Sequence, residues 1–183
     1  MCIRDSRGPI HLVHGPGNDC MLLCLQVVKK ALISKSIVLW IGDLPTSKAK
    51  PMLGSISEIF LSNLLIGTFE AVNTKTTALN KADMVVLNPW CSNHGRARKS
   101  EISRLEWILN TARGQVLATS LGNQDASGRG TITARSRLKL EEMGFETWFL
   151  NREESNSRRI LKSSKRRLVL ERLNGEFSVV TRS

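Results

Sequence analysis

At 183 residues and 41% hydrophobic content the chain is long enough for one globular domain with a sizeable core, which excludes a small disulfide-stapled scaffold and a wholly disordered polymer. A formal net charge of +11 and a pI near 10.1 point to an acidic polymer as partner, nucleic acid above all, through phosphate neutralisation and counterion release. The longest apolar runs fall short of the roughly 20 residues that a membrane span needs, so a soluble, cytoplasmic protein with no membrane partner is expected.

Residues 1–7 read as a non-native scar, because "MCIRDS" matches no signal, transit or lipidation pattern, and a single domain over 8–183 is expected. Ile10 to Leu32, "IHLVHGPGNDCMLLCLQVVKKAL", then sets an apolar run, a glycine loop and a helical pattern in the order of a phosphate-binding loop. Laid on G-x-x-x-x-G-K-[ST], the candidate nucleotide-binding residues are Gly15, Pro16, Gly17, Asn18, Asp19, Cys20, Met21 and Leu22. Cys20 replaces the second glycine, Met21 the lysine that would neutralise the β- and γ-phosphates, and Leu22 the hydroxyl that would hold Mg²⁺. Gly15, Gly17 and the positive end of a helix remain, enough for weak anion binding but not for metal-assisted hydrolysis. The plainer alternative is a glycine turn between a strand and a core helix. Cys20 and Cys24 lie one turn apart in that helix and Cys91 stands apart, which gives no CxxC pair and no disulfide framework.

"SIVLWI" at 36–41 is a strand buried on both faces and therefore parallel, with Asp43 beyond its C-terminal end. Ser55 to Leu65 carries a serine cap, Glu58 three residues on, and apolar residues at helical spacing, so a helix is expected there. "IGTFEAV" suits a short strand and 74–81 a turn or short helix. "ADMVVLN" at 82–88 is a second buried strand ending at Asn88, a further candidate nucleotide-site residue. Glu101 to Ala112 is an amphipathic helix and "QVLATSL" a third core strand. "GNQDASGRG" at 122–130 is a surface loop rich in turn formers. In the last third, "TITARSRLKLEEM", "SRRILKSSKRRLVLERL" and "GEFSVVTRS" alternate apolar residues with arginine and lysine, which reads as an antiparallel β-meander with one basic face; Leu138 to Met143 equally suits a helix ending at Gly144. The basic residues cluster, and the candidate phosphate contacts are Arg96, Arg98, Lys99, Arg129, Arg135, Arg137, Lys162, Lys165, Arg166 and Arg167.

On "HLVHGPGND" before the helix, "SIVLWIGD", "ADMVVLN", "QVLATSL" and the closing "RRILKSSKRR…GEFSVV", the chain resembles the RecA/RadA recombinase superfamily, most nearly its short RadB-like paralogues. The resemblance implies an α/β fold: a RecA-like P-loop core, a mainly parallel sheet flanked by helices, and a C-terminal β-meander. It makes 15–22 the Walker A loop, Asn88 the occupant of the Walker B acid position, Asp43 the carboxylate nearest the catalytic glutamate position, and Thr119 and Ser120 the polar sensor segment, with Leu121 where a glutamine is usual. It implies ATP as cofactor, held weakly, with the Mg²⁺ site impaired, and no catalytic residue in place. It also implies DNA rather than RNA as partner, in recombination or repair, together with a second copy of the chain or an active recombinase homologue. Two other functions compete. "ADMVVLNPW" has a likeness to the N-P-P-W signature of Rossmann-type S-adenosylmethionine methyltransferases, although one proline is missing and no G-x-G loop follows a strand upstream. A structural RecA-like subunit without nucleic-acid affinity would also keep the fold and lose the catalytic residues.

Overall fold

The computed structural model describes residues 8–72, 76–93, 96–123, 132–153 and 157–180. In chain order the elements are β1 (Ile10–His14), α1 (Asp19–Ile33), β2 (Val38–Gly42), α2 (Thr46–Leu53), α3 (Glu58–Leu61), β3 (Leu64–Gly67), α4 (Phe69–Val72), α5 (Thr76–Lys81), β4 (Met84–Asn88), α6 (Lys99–Thr111), β5 (Gln115–Leu121), α7 (Arg137–Glu142), β6 (Glu146–Arg152), β7 (Arg158–Lys162), β8 (Arg167–Leu173) and β9 (Glu176–Val179).

Among the described residues nine strands form one sheet in the order β3-β2-β4-β5-β1-β6-β7-β8-β9. The first six in that order are parallel and the last three antiparallel. Side-chain chemistry draws that division. The central strands β1, β2, β4 and β5 are buried almost throughout because their unbroken apolar runs are covered by helices on both faces. In β7 and β9 burial alternates, with Arg159, Leu161 and Phe177 turned inward, so these strands cover one face only.

Two cores result. Leu23, Cys24, Leu25, Val28 and Leu32 of α1 pack on one face of the sheet with Leu161, Leu170 and Phe177 of the antiparallel strands. Leu105 and Ile108 of α6 and Leu140 of α7 pack on the other face with Val85, Leu87, Trp90 and Phe145. The antiparallel strands curl over α1, and one side chain holds their outermost edge: Gln26 Nε2 donates to the Phe177 carbonyl (2.6 Å) and its Oε1 accepts the Phe177 N–H (2.8 Å). A helix side chain there occupies the positions a further strand would use. At the opposite edge, β3 presents Leu65 and Ile66, which is 59% exposed.

Four expectations change. The helix expected over Ser55 to Leu65 is reduced to α3, because Leu64 and Leu65 pair with Val38 and Leu39 as an edge strand; Ser57 precedes the helix, and its side chain makes no cap. "IGTFEAV" is divided, its first two residues ending β3 and its last four forming α4. The first segment assigned to the meander is not a strand: from Arg137 it is α7, closed by Gly144, while an isolated Asn123–Thr133 bridge precedes it. Strand order also removes the methyltransferase alternative. A Rossmann sheet places the first strand beside the second, whereas here β5 and β4 stand between β1 and β2.

Substituting Gln26 by leucine keeps the bulk of the side chain and leaves a buried N–H and C=O of Phe177 unpaired. The expected destabilisation is about 2–3 kcal/mol, measured as a lower urea midpoint at unchanged denaturant slope.

Candidate functional site

β1 ends at His14, and the chain turns through Gly15, Pro16, Gly17 and Asn18 into α1, at the C-terminal edge of the parallel strands. Pro16, Gly17 and Asn18 are exposed. Gly17 has φ +111°, a conformation that favours glycine, and the Arg152 guanidinium lies against it where a Cβ would stand. Asn18 stands at the N-cap without a side-chain cap bond, and the Leu22 N–H reaches the Asn18 carbonyl at 3.0 Å. The first-turn amides therefore face the loop without a capping side chain. The rest of the candidate loop turns inward: Cys20 is buried, and Met21 and Leu22 pack against the core around α1.

The positions carried over from the resemblance converge. Asn88, at the end of β4, is buried and bonded at both ends of its amide. Its Oδ1 accepts the Thr119 hydroxyl at 2.7 Å, and its Nδ2 donates to the Asp43 carbonyl at 3.1 Å and lies 3.8 Å from the Met21 sulfur. Where an active ATPase needs lysine, carboxylate and sensor, a thioether, an amide and a hydroxyl satisfy one another. The web is uncharged. Asp43 is exposed and joins through its backbone, its N–H donating to the Asn88 carbonyl at 2.9 Å. Gly42 permits this closure, with φ +107° and the Asn88 carbonyl lying where a Cβ would stand. With neither cation nor anionic oxygen in the web, the donor set does not fit a Mg²⁺-nucleotide.

Charge gathers instead one turn away. Asp19, in the first turn of α1, receives Arg159 Nε at 2.7 Å, Arg152 Nε at 3.3 Å and Arg172 Nη1 at 3.5 Å. Arg159 and Asp19 are buried, while Arg152 keeps 60% of its side chain in solvent and Arg172 38%. Burial raises the Asp19 pKa, but the hydrogen bond and charge of Arg159, with those of Arg152, outweigh it and hold the carboxyl below its ordinary range. None of these arginines was singled out by sequence reasoning. The available signal was the alternation in "SRRILK", which turns Arg159 inward beside Leu161.

Thr119 and Ser120 point to opposite faces of β5. Ser120 meets His11, whose Nε2 lies 2.8 Å from the Ser120 hydroxyl and accepts the Trp90 indole N–H at 3.3 Å. That leaves the proton of the neutral ring on Nδ1, which has no partner among the described residues, nor has the Thr147 hydroxyl opposite it in register. Burial, and secondly the charge of His14, push the His11 pKa from 6.5 down to about 3. Burial likewise lowers His14, against the raising effect of its bond to the Gly15 carbonyl.

The candidate phosphate contacts fall into separate places. Arg96, Arg98 and Lys99 are exposed at the start of α6, where Glu101 accepts the backbone N–H of Arg98 at 2.6 Å and of Ser92 at 2.8 Å. Arg137 is exposed and paired with Glu141 at 2.7 Å. Arg135 is not on the surface: it is buried, its Nε donating to the Leu121 carbonyl at 2.8 Å and its Nη2 to the Asn93 carbonyl. A guanidinium so placed ties the end of β5 to the loop after β4. Arg129 lies outside the described residues, as does most of the 122–130 loop. Lys162, Lys165, Arg166 and Arg167 surround the β7–β8 turn, all exposed, with Ser163 Oγ accepting the N–H groups of Lys165 and Arg166. Because β7 runs antiparallel to β6, this turn is carried away from the glycine loop. The basic residues therefore do not form one continuous face.

No protein-family model matches the chain, and no curated protein matches its sequence. Solved structures share its fold. A RadB recombinase is similar over 95% of this chain and 91% of its own, with a TM-score of 0.67 at 15% identity. A KaiC-like protein from the archaeon Pyrococcus horikoshii OT3 is similar over 95% and 89%, with a TM-score of 0.66 at 13% identity. The flagellar accessory protein FlaH from Methanocaldococcus jannaschii is similar over 96% and 90%, with a TM-score of 0.63 at 13% identity. The fold of this chain is thus the RecA-like P-loop fold, with its mostly parallel sheet and antiparallel C-terminal strands. No helix among the described residues is long and apolar enough to cross a membrane.

Two acid limbs of stability follow, one from the lowered histidines His11 and His14 and one from Asp19. His11 has a depressed pKa, so the unfolded chain takes up its proton first and stability falls as pH drops from 6.5 towards about 3, by at most about 1.4 kcal/mol per unit. Asp19 is depressed too; its contribution is present above the ordinary aspartate value of 3.8 and is lost as pH falls through the folded value. In urea titrations across pH, His11→Phe should flatten the limb between about pH 6.5 and 4, and Asp19→Asn the limb below about 4.

Proposed function

We propose that this chain is a nucleic-acid-binding RecA-like protein of DNA recombination or repair, with weak or no ATP hydrolysis. The observation that carries the reading is the β7–β8 turn. Lys162, Lys165, Arg166 and Arg167 are exposed there and none is ion-paired to a described residue, in a chain of net charge +11. Four solvated cations at the tip of a hairpin supply the sequence-independent part of a phosphate-backbone interface. Arg96, Arg98 and Lys99 add a second exposed group at α6.

The uncharged web of Met21, Asn88 and Thr119 supports the second half of the reading. Hydrolysis of a triphosphate needs charge placed against the developing charge of the γ-phosphoryl group, and these three side chains have none to place. ATP, where it binds, is held weakly by backbone N–H groups between Gly15 and Cys20. A recombinase stands among the structures of like fold, which supports DNA in preference to RNA; the protein partner in this reading is a second copy or an active recombinase homologue.

Labelled single- and double-stranded DNA should bind with an affinity that falls steeply with salt and is indifferent to ATP and Mg²⁺. Changing Lys162, Lys165, Arg166 and Arg167 together to glutamine should lower the slope of log affinity against log salt by about 3–4. DNA binding that is absent at low salt would leave a structural RecA-like subunit in its place. In the same protein, Met21→Lys with Leu22→Thr should raise ATP affinity, read by equilibrium dialysis; an unchanged affinity would mean that the loop no longer accepts a triphosphate.

A further inference from the structure

Three guanidinium groups from three neighbouring strands meet one carboxylate at the mouth of the glycine loop: Arg152 at the end of β6, Arg159 in β7 and Arg172 near the end of β8, all on Asp19. Arg152 and Arg159 stand opposite one another in register, so both side chains leave the same face of the sheet. Among the ion pairs of the described residues, these three guanidinium groups share one carboxylate. Arg159 has the shortest contact and is buried with Asp19, so that pair forms an internal base. Arg152 and Arg172 make longer contacts to the same carboxylate, with their side chains 60% and 38% exposed, so both heads keep donors turned to solvent. Arg158, the next residue along β7, leaves the opposite face, where it is 3.9 Å from Glu171.

We infer that Arg152 and Arg172 form a second phosphodiester-binding surface for nucleic acid, set on the buried Asp19–Arg159 pair and separate from the β7–β8 turn. The inference rests on the nucleic-acid reading above and names a part of the surface that the reading does not use. Held by Asp19, the two forks lose less freedom on meeting a phosphate than free surface arginines do. Guanidinium donors suit the bidentate geometry of phosphate oxygens. Access is open, because the neighbouring Pro16, Gly17 and Asn18 are exposed and Gly17 has no side chain to screen the Arg152 head. The β7–β8 turn lies at the other end of β7, so a backbone held at both places crosses the outer strands of the meander.

The test is DNA binding by the whole chain, with Arg152→Gln/Arg172→Gln set beside the four-residue turn variant and the combination of the two. Both replaced side chains are partly exposed and the Asp19–Arg159 pair is kept, so the melting temperature serves as the folding control. Arg152→Lys/Arg172→Lys retains the charges if the glutamine pair fails to fold. The glutamine variant should bind DNA about tenfold or more weaker at low salt, with a salt slope lower by about 2, and the loss should add to that of the turn variant. Wild-type affinity and slope in the glutamine variant, while the wild-type chain binds DNA, would overturn the inference and leave the nucleic-acid reading standing. No DNA binding by the wild-type chain would remove both. Inorganic phosphate is the competing ligand: if it raises the melting temperature of the wild type but not of the variant, with DNA affinity equal in the two, the site takes free phosphate and the inference fails.

Discussion

The pairing of Asp19 with Arg159 is the contact on which the arrangement of this molecule turns. It joins the first turn of the helix that follows β1 to a strand 140 residues later, and it does so where both partners are buried. A lone carboxylate at that depth would be costly, as would a lone guanidinium; together, with Arg152 and Arg172 completing the shell, they satisfy each other. The position also suits the helix, since a negative charge in its first turn meets the positive end of the backbone dipole. The same cluster borders the glycine loop, with the Arg152 guanidinium lying against Gly17.

At the ends of the parallel strands the design is the reverse. There β2, β4 and β5 meet in a web with no formal charge, in which an asparagine amide is bonded at both ends. Such a web is stable because its amide is bonded at both ends. A P-loop enzyme keeps its catalytic groups short of partners until substrate arrives; here the partners are already inside the fold. The ends of the central parallel strands thus meet in an uncharged web, while charge gathers on its flank around Asp19.

How much of this could be read in the sequence depends on the range of the interaction. The parallel strands were legible because a strand covered on both faces must be apolar throughout, as "SIVLWI" and "ADMVVLN" are, and α1 was legible from its apolar surround. Residues 135–143 were ambiguous because alternating arginine and leucine there satisfies both a period of two and a helical period; burial of Leu140 alone on α7 decided for the helix. Ser55 to Leu65 satisfied every local helix signal, yet the open edge beside Val38 and Leu39 took its last two residues for a strand. Met21, Asn88 and Thr119 were singled out in the sequence, and the bonds that bring them together belong to the sheet order. The arginine cluster was beyond local reading altogether, since Arg152, Arg159 and Arg172 converge through strand register on an acid at the start of α1. Arg135 shows the opposite failure: its type and neighbours look like surface, and only the tertiary fold buries it against two backbone carbonyls.

The hold of α1 on the outer strands has a consequence for the order in which the chain can mature. Asp19 and Gln26 reach partners 140 and 151 residues further on, so the longest-range contacts of the fold wait on one early helix. That helix can form as soon as its own residues are in place, but Leu161, Leu170 and Phe177, which cover its apolar side, stand far along the chain from it. Closing contacts across such separations is slow relative to forming a helix or a hairpin. Until those strands dock, the helix keeps the apolar side that they cover open to water, and its exposure to aggregation is set by how quickly they close over it.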